Sequence, residues 1–173
     1  MKIGYPCVNR TLGCAGAKTF RLKSYSLARL DETVGNNLEC LETMLRFNVE
    51  QGILFFRITS DLVPFASHPD VEPPWTDRYV GELGRIGSFV LENGVRIDMH
   101  PGQYTLLNAK ETRIVENAIR DLGTTVRSSI RWGSTRRQRS RSTLEASMET
   151  GWRVCSASWK HLGSWQVRFD EGW

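Results

Sequence analysis

Apolar positions recur in two alternating rhythms along the first two thirds of the chain. Between Glu32 and Gln51, Val34, Leu38, Leu41 and Leu45 stand four, three and four residues apart. That spacing puts them on one face of a helix, and Gly52 suits its C-terminal stop. Ile53 to Ile58 is then an apolar run broken only by Arg57, the pattern of a strand buried on both faces of a parallel sheet. A second helical face, Tyr79, Leu83, Ile86 and Val90, closes at Asn93-Gly94, and Val95 to Met99 reads as the next strand. Ile114, Val115, Ala118, Ile119 and Leu122 form a third helical face. Ahead of these, Lys2 to Pro6 reads as a short strand stopped by Pro6, and residues 11–29 as a connection without period.

The resulting order, β-α-β-α-β-α, is that of parallel strands joined by right-handed crossovers. At 173 residues the chain has room for one domain with a core, but a full (β/α)8 barrel takes about 250 residues. The polar groups worth singling out all follow strand ends: Tyr5 to Asn9, Arg57 to Ser60, His68, and His100 to Tyr104. In barrels and open α/β sheets alike, sites assemble on that face.

Charge changes the picture only when divided along the chain. Residues 1–123 hold 14 Lys and Arg against 15 Asp and Glu, whereas residues 124–173 hold 9 against 4. The overall charge of +4 is therefore a property of the tail, and nucleic-acid binding by the first part needs placed groups or metal ions, not a general field. Cys7, Cys14, Cys40 and Cys155 show no CxxC or metal-ligand spacing, so free buried thiols are expected. No long apolar run and no signal-like start is seen, which predicts no membrane partner and a cytoplasmic location.

Candidate chemistry concentrates in Met99-His100-Pro101-Gly102-Gln103-Tyr104, where a strand delivers an imidazole and a Pro-Gly turn then presents an amide beside an aromatic ring. Such an imidazole suits a metal ligand or an acid/base, and the Gln-Tyr pair can hydrogen-bond to and stack on a base. A structural reading stands beside each candidate. His68 and His100 can be satisfied loop histidines, Tyr5 a core residue, and Arg57 the partner of a core carboxylate.

Five strings in order, Gly4-Tyr5-Pro6-Cys7-Val8-Asn9, Leu45-Arg46-Phe47-Asn48, Phe56-Arg57-Ile58, Pro64-Phe65-Ala66-Ser67-His68-Pro69 and Met99 to Tyr104, together resemble the ultraviolet-damage endonuclease family. The resemblance covers residues 1 to about 122. It implies a (β/α)8 TIM barrel related to endonuclease IV, binding divalent metal ions, with manganese expected, at its C-terminal mouth. It also implies UV-damaged double-stranded DNA as partner, nicked 5′ to pyrimidine dimers and (6-4) photoproducts to leave a 3′-hydroxyl. His68 and His100 match the family's catalytic metal-site histidines, and Gln103 and Tyr104 the pair that wedges into the duplex opposite the lesion. Tyr5 and Asn9 match groups near the extruded dimer, and Arg57 joins them as a DNA- or lesion-binding residue. In such a site metal ions activate water and stabilise phosphoryl charge, while a damaged pair, being poorly stacked, is cheaper to extrude.

Past Leu122 the family pattern stops, and five of the six tryptophans lie beyond it. The run Arg136-Arg137-Gln138-Arg139-Ser140-Arg141-Ser142 has the look of a basic nucleic-acid arm. Back-translation suggests otherwise. Codons for residues 134–150, begun one nucleotide earlier, spell DETAKVQIHVGGVYGD after a leading leucine, a strand and loop with a further histidine of the kind this family needs next. Residues 124–133 treated likewise give YHCAVLDTLG, and residues 151–173 give GVASLFSVVETFGKLAGPVRRGL. A frameshift near Gly123 is expected.

The expected fold is accordingly α/β, the N-terminal three β/α units of an incomplete (β/α)8 TIM barrel. Residues 1–122 form a partial endonuclease domain, and residues 123–173 an out-of-frame basic tail that is disordered or irregular. As it stands this polypeptide is expected to be truncated and inactive, because two imidazoles without bridging carboxylates do not hold a multinuclear ion cluster. Two other readings stay open. One is another xylose-isomerase-like metal-dependent barrel, a sugar isomerase or abasic-site endonuclease; the other is a non-catalytic nucleic-acid-binding protein with an authentic basic tail.

Overall fold

The computed structural model describes residues 2–68, 75–99, 101–102 and 105–131. Three strands, β1 (Gly4–Pro6), β2 (Phe55–Ile58) and β3 (Arg96–Met99), form one parallel sheet in the order β1-β2-β3. Tyr5 is level with Phe56, and Arg57 with Asp98. Gly4 is a packing requirement: a Cβ there would lie 1.6 Å from the Phe55 carbonyl oxygen, so only hydrogen lets β1 close onto β2.

The helices are α1 (Leu27–Glu50), a single turn α2 (Trp75–Arg78), α3 (Val80–Glu92) and α4 (Thr112–Arg131). Helix α1 starts earlier than the apolar period requires because Ser26 caps it, its hydroxyl accepting from the Arg29 amide at 3.2 Å, and because Leu30 extends the buried stripe. Gly52 and Gly94 follow α1 and α3 with φ of +69° and +62°, the left-handed stop expected at both positions. Helix α1 packs against α3, and α3 against α4. Leu30, Val34, Leu41 and Leu45 of α1 and Leu83, Ile86 and Val90 of α3 join Phe56, Ile58 and Ile97 of the sheet in one core.

Three expectations change. The strand Ile53 to Ile58 is not buried on both faces. Phe56 and Ile58 are buried under the helices, whereas Phe55 and Arg57 alternate onto the other face and are only half-buried, because the helices cover a single side. On that second face the Arg96 guanidinium lies 5.2 Å from the Phe55 ring centroid. Secondly, Cys14 and Cys40 are not free thiols. The connection ahead of α1 folds back onto that helix, bringing their Cα atoms to 5.8 Å, and they are joined in a disulfide. Cys7 is in no disulfide, and Cys155 lies outside the described residues.

The third change concerns the chain after position 123, expected to be irregular. Helix α4 continues across it to Arg131, and the rest of the expected tail, residues 132–173, lies outside the described residues. Its predicted apolar face is not uniform either: Ala118 is buried but Ile119 is 49% exposed. No helix among the described residues is long and apolar enough to cross a membrane.

Candidate functional site at the strand C-terminal ends

The loops that leave the strand ends carry backbone strain. Cys7, directly after β1, and Phe65, in the loop after β2, both have φ of +60°. For residues with a Cβ that conformation costs on the order of 1–3 kcal/mol and is held only by surrounding contacts. For Cys7 one such contact is its amide donating to the Arg57 carbonyl at 2.8 Å. For Phe65 they are ring contacts, edge-on to Phe20 at 5.2 Å and to Tyr25 at 6.3 Å.

Tyr5 and Asn9 are brought together. The Tyr5 hydroxyl donates to Asn48 Oδ1 at 2.7 Å and accepts from Asn9 Nδ2 at 2.7 Å, while Asn9 Oδ1 accepts the Thr11 amide at 2.9 Å. The Tyr5 ring also packs edge-on against Phe56 at 5.2 Å, so the side chain is anchored in the core at one end and hydrogen-bonded at the other. Arg57, one register step on, is turned to the opposite face. There it pairs with Asp98 at 3.1 Å, the carboxylate being the buried member at 8% exposure and the guanidinium the wetter one at 39%. Asp98 also accepts the Met99 amide at 2.8 Å. The reading of Arg57 as partner of a core carboxylate is thus what the geometry displays, and it leaves part of the guanidinium accessible.

His68 closes the strained loop, its amide donating to the Phe65 carbonyl at 2.8 Å and its ring edge-on to Phe65 at 6.4 Å. His100, Gln103 and Tyr104 lie outside the described residues. A cavity of about 120 Å³ opens beside these loops, lined in part by Asp61, Ala66, Ser67, Met99, Gly102 and Asp121. Burial pushes the Cys7 thiol pKa up; Arg57 opposes that shift and Asp61 adds to it. The thiol is thus kept in its protonated, poorly nucleophilic form.

The described donors do not make up a metal site: no group of three or more His, Cys, Asp or Glu side chains among them is placed to hold an ion. His68 alone of the two expected ligands falls within the described residues.

Four residues that the sequence reading did not single out by role organise this end of the sheet. Asn37, fully buried on α1, accepts the Lys18 amide at 2.8 Å and donates to the Lys18 and Leu62 carbonyls at 2.9 and 3.0 Å. It ties the connection before α1 to the turn after β2. Asn48 anchors Tyr5, Asp98 pairs with Arg57, and Asp121 of α4 accepts the Gly102 amide at 2.8 Å. A signal was present for the asparagines. Both fall on the apolar stripe of α1, where a buried amide must find partners.

The comparisons with known proteins agree on one family. The model for the family described as UV-endonuclease UvdE matches residues 1–138. A UV DNA damage endonuclease of Clostridium perfringens (strain 13 / Type A) is 34% identical over 122 residues, covering 70% of this chain and 30% of that protein. One from Bacillus anthracis (strain A0248) is 31% identical over 130 residues, covering 70% of this chain and 41% of that one. Among solved structures, SacUVDE superimposes with a TM-score of 0.73 at 41% identity, covering 77% of this chain and 46% of that one. The chain therefore spans less than half the length of each of these relatives.

Proposed function

Because the chain belongs to the UV-endonuclease UvdE family, we propose that residues 1–122 are the first three β/α units of a (β/α)8 barrel endonuclease that repairs UV-damaged DNA. The family match across residues 1–138 carries the reading. The strand order supports the barrel. Three consecutive parallel strands with no reversal, their helices packed successively along one face, are what a singly wound barrel contains. The second sheet face, with Phe55, Arg57, Arg96 and Asp98, then corresponds to the barrel interior.

In this account the enzyme nicks DNA 5′ to pyrimidine dimers and (6-4) photoproducts; within these 173 residues His68 and His100 would help to hold divalent ions, manganese being the expected one, which would supply an activated water and stabilise phosphoryl charge. Gln103 and Tyr104 enter the duplex opposite the lesion, while Tyr5 and Asn9, already linked at 2.7 Å, stand near the extruded dimer. Extrusion costs a few kcal/mol for a normal pair and less for a damaged one, which supplies selectivity before any chemistry. Arg57 contributes charge toward DNA or lesion from the uncovered face.

The sequence from near Gly123 is read as out of frame, so that the 173-residue polypeptide does not nick DNA by itself. The nucleotide sequence from codon 118 onward tests this. A single-base departure from the frame of the relatives is expected, and an unbroken frame coding a different tail overturns it. Damage-dependent nicking by a frame-restored polypeptide, with no isomerisation of sugars, separates this reading from the xylose-isomerase-like alternative.

A further inference from the structure

The connection between β1 and α1 is clasped to the helix it leads into. Between Thr11 and Arg21 it forms no helix or strand, and a single 3-10 turn, Leu22–Ser24, follows. Its path is therefore set by ties to other elements. Cys14 is joined to Cys40 of α1 across 26 residues of sequence, with Cα atoms 5.8 Å apart. Two residues on, the backbone lies flush on the helix: a Cβ at Gly16 would stand 3.0 Å from Met44 Cε and 3.8 Å from Cys40 Sγ. Asn37 then holds the Lys18 amide and carbonyl at 2.8 and 2.9 Å, and the Phe20 ring meets Phe65 edge-on at 5.2 Å. Phe65 is the residue at φ +60° whose carbonyl accepts the His68 amide. One covalent bond thus heads a row of weaker contacts that ends in a strained loop.

The two sulfurs are unequally placed. Cys40 is 4% exposed and belongs to the core, with the backbone of Gly16 passing close over it, whereas Cys14 is only part-buried at the core's edge. An attacking group reaches Cys14 and not Cys40, and access decides which sulfur of a disulfide is attacked. We propose that Cys14 and Cys40 form a reversible thiol–disulfide exchange site, entered at Cys14, whose opening releases the connection from α1 and loosens the Phe65 loop while the core stays folded. The reductant is a low-molecular-weight thiol of the glutathione class. Its thiolate attacks Cys14 Sγ and forms a mixed disulfide there; the bond to Cys40 breaks, and Cys40 leaves with the electron pair and takes up a proton. A second thiolate attacks the small-molecule sulfur of that mixed disulfide, so that Cys14 leaves, is protonated, and the two small thiols end as their own disulfide. The cysteine pair gains two electrons and two protons, which the two small thiols lose. The same steps in reverse close the clasp. Once it is open, the Asn37 hydrogen bonds and the Phe20 ring contact remain, and ties of that kind open and close locally.

The test compares the air-oxidised wild-type 173-residue chain with the same chain in excess reduced glutathione, without denaturant. Peptide mapping after alkylation assigns each cysteine, and residue-resolved amide hydrogen exchange reads the structure. Cys14 and Cys40 are expected to be linked in the first sample and alkylated in the second. On reduction, exchange accelerates at least about tenfold at Lys18 and about threefold at His68, while Leu45 and Val90 stay within about twofold, the pattern of local opening. With oxidised glutathione, Cys40→Ala carries the adduct on Cys14, and folded Cys14→Ala carries none on Cys40. Free thiols at both positions after air oxidation overturn the proposal. So does a disulfide that glutathione opens only in denaturant, or one whose reduction accelerates Leu45 and Val90 as much as Lys18, since either is a cross-link that supports the fold as a whole. Unchanged exchange at Lys18 on reduction, or an adduct on Cys40 in folded Cys14→Ala, also overturns it.

Discussion

Arg57 on β2 and Asp98 on β3 face each other in register and join at 3.1 Å on the sheet face that the helices do not cover. The pair is unequal, because the carboxylate is nearly buried and the guanidinium is not. Removing Arg57 takes the cationic partner from a nearly buried carboxylate, whereas removing Asp98 leaves a cation that water can reach. Arg57→Ala is therefore expected to lower stability by about 1–2 kcal/mol, and Asp98→Ala by less, about 0–1 kcal/mol given the solvent screening of Arg57. Urea unfolding of both variants checks the order, and a reversed order contradicts the burial argument.

Asn37 makes a different kind of contribution. Truncation to alanine leaves the Leu62 carbonyl in a buried site, and the part-buried amide and carbonyl of Lys18, without their side-chain partner. Each orphaned group costs about 1–3 kcal/mol unless water replaces the partner, so Asn37→Ala is expected to destabilise by roughly 2–4 kcal/mol. Denaturant midpoints measure it, and a loss under about 1 kcal/mol would mean that water fills the gap.

Gly4→Ala is the harshest single-methyl change expected. The added Cβ meets backbone, the Phe55 carbonyl, and backbone cannot rotate aside as a flexible side chain does. Overpacking typically costs about 1–3 kcal/mol and more where backbone must move, so this variant is expected at or beyond the upper end. A soluble Gly4→Ala chain with an unchanged melting temperature would contradict the β1–β2 register.

The pH dependence has a definite sign at Asp31. Hydrogen bonding from Arg78, Nε to Oδ1 at 2.6 Å, holds its carboxyl below the ordinary carboxylate value, burial opposes this, and the Tyr79 hydroxyl at 2.8 Å assists. A folded-state pKa below the unfolded one contributes stability above about pH 4 that is lost as pH falls through the folded value. The difference in urea midpoint between wild type and Asp31→Asn is accordingly expected at pH 7 and should close progressively below about pH 4. The effect is modest because the two side chains are 34% and 39% exposed, so that solvent screens the pair. A difference that widens on acidification would contradict this account.

Much of the fold was legible in the order of apolar residues. Val34, Leu38, Leu41 and Leu45 marked α1, and Leu83, Ile86 and Val90 marked α3, because one face of each must be buried. What failed has physical reasons. Ile53 to Ile58 reads as doubly buried because apolarity records what a strand can bury, not whether a second layer is present to bury it. Cys14 and Cys40 gave no spacing signal, since their approach depends on how residues 11–26 fold back on α1. At the site, the strand-end positions of Tyr5, Asn9, Arg57 and His68 were readable, and the buried amides of Asn37 and Asn48 could be suspected from their place on the apolar stripe of α1, but Asp98 and Asp121 were not readable. Their roles arise from partners 16 to 41 residues away, which no local pattern announces.

The most direct test of the account compares two purified polypeptides on UV-irradiated supercoiled plasmid with Mn2+: the 173-residue chain and the product of the same gene with the frame restored at Gly123. The account predicts metal-dependent nicks 5′ to dimers from the restored product, none on unirradiated plasmid, and none from the 173-residue chain. Nicking by the 173-residue chain, or a restored product without activity on irradiated DNA, would contradict it.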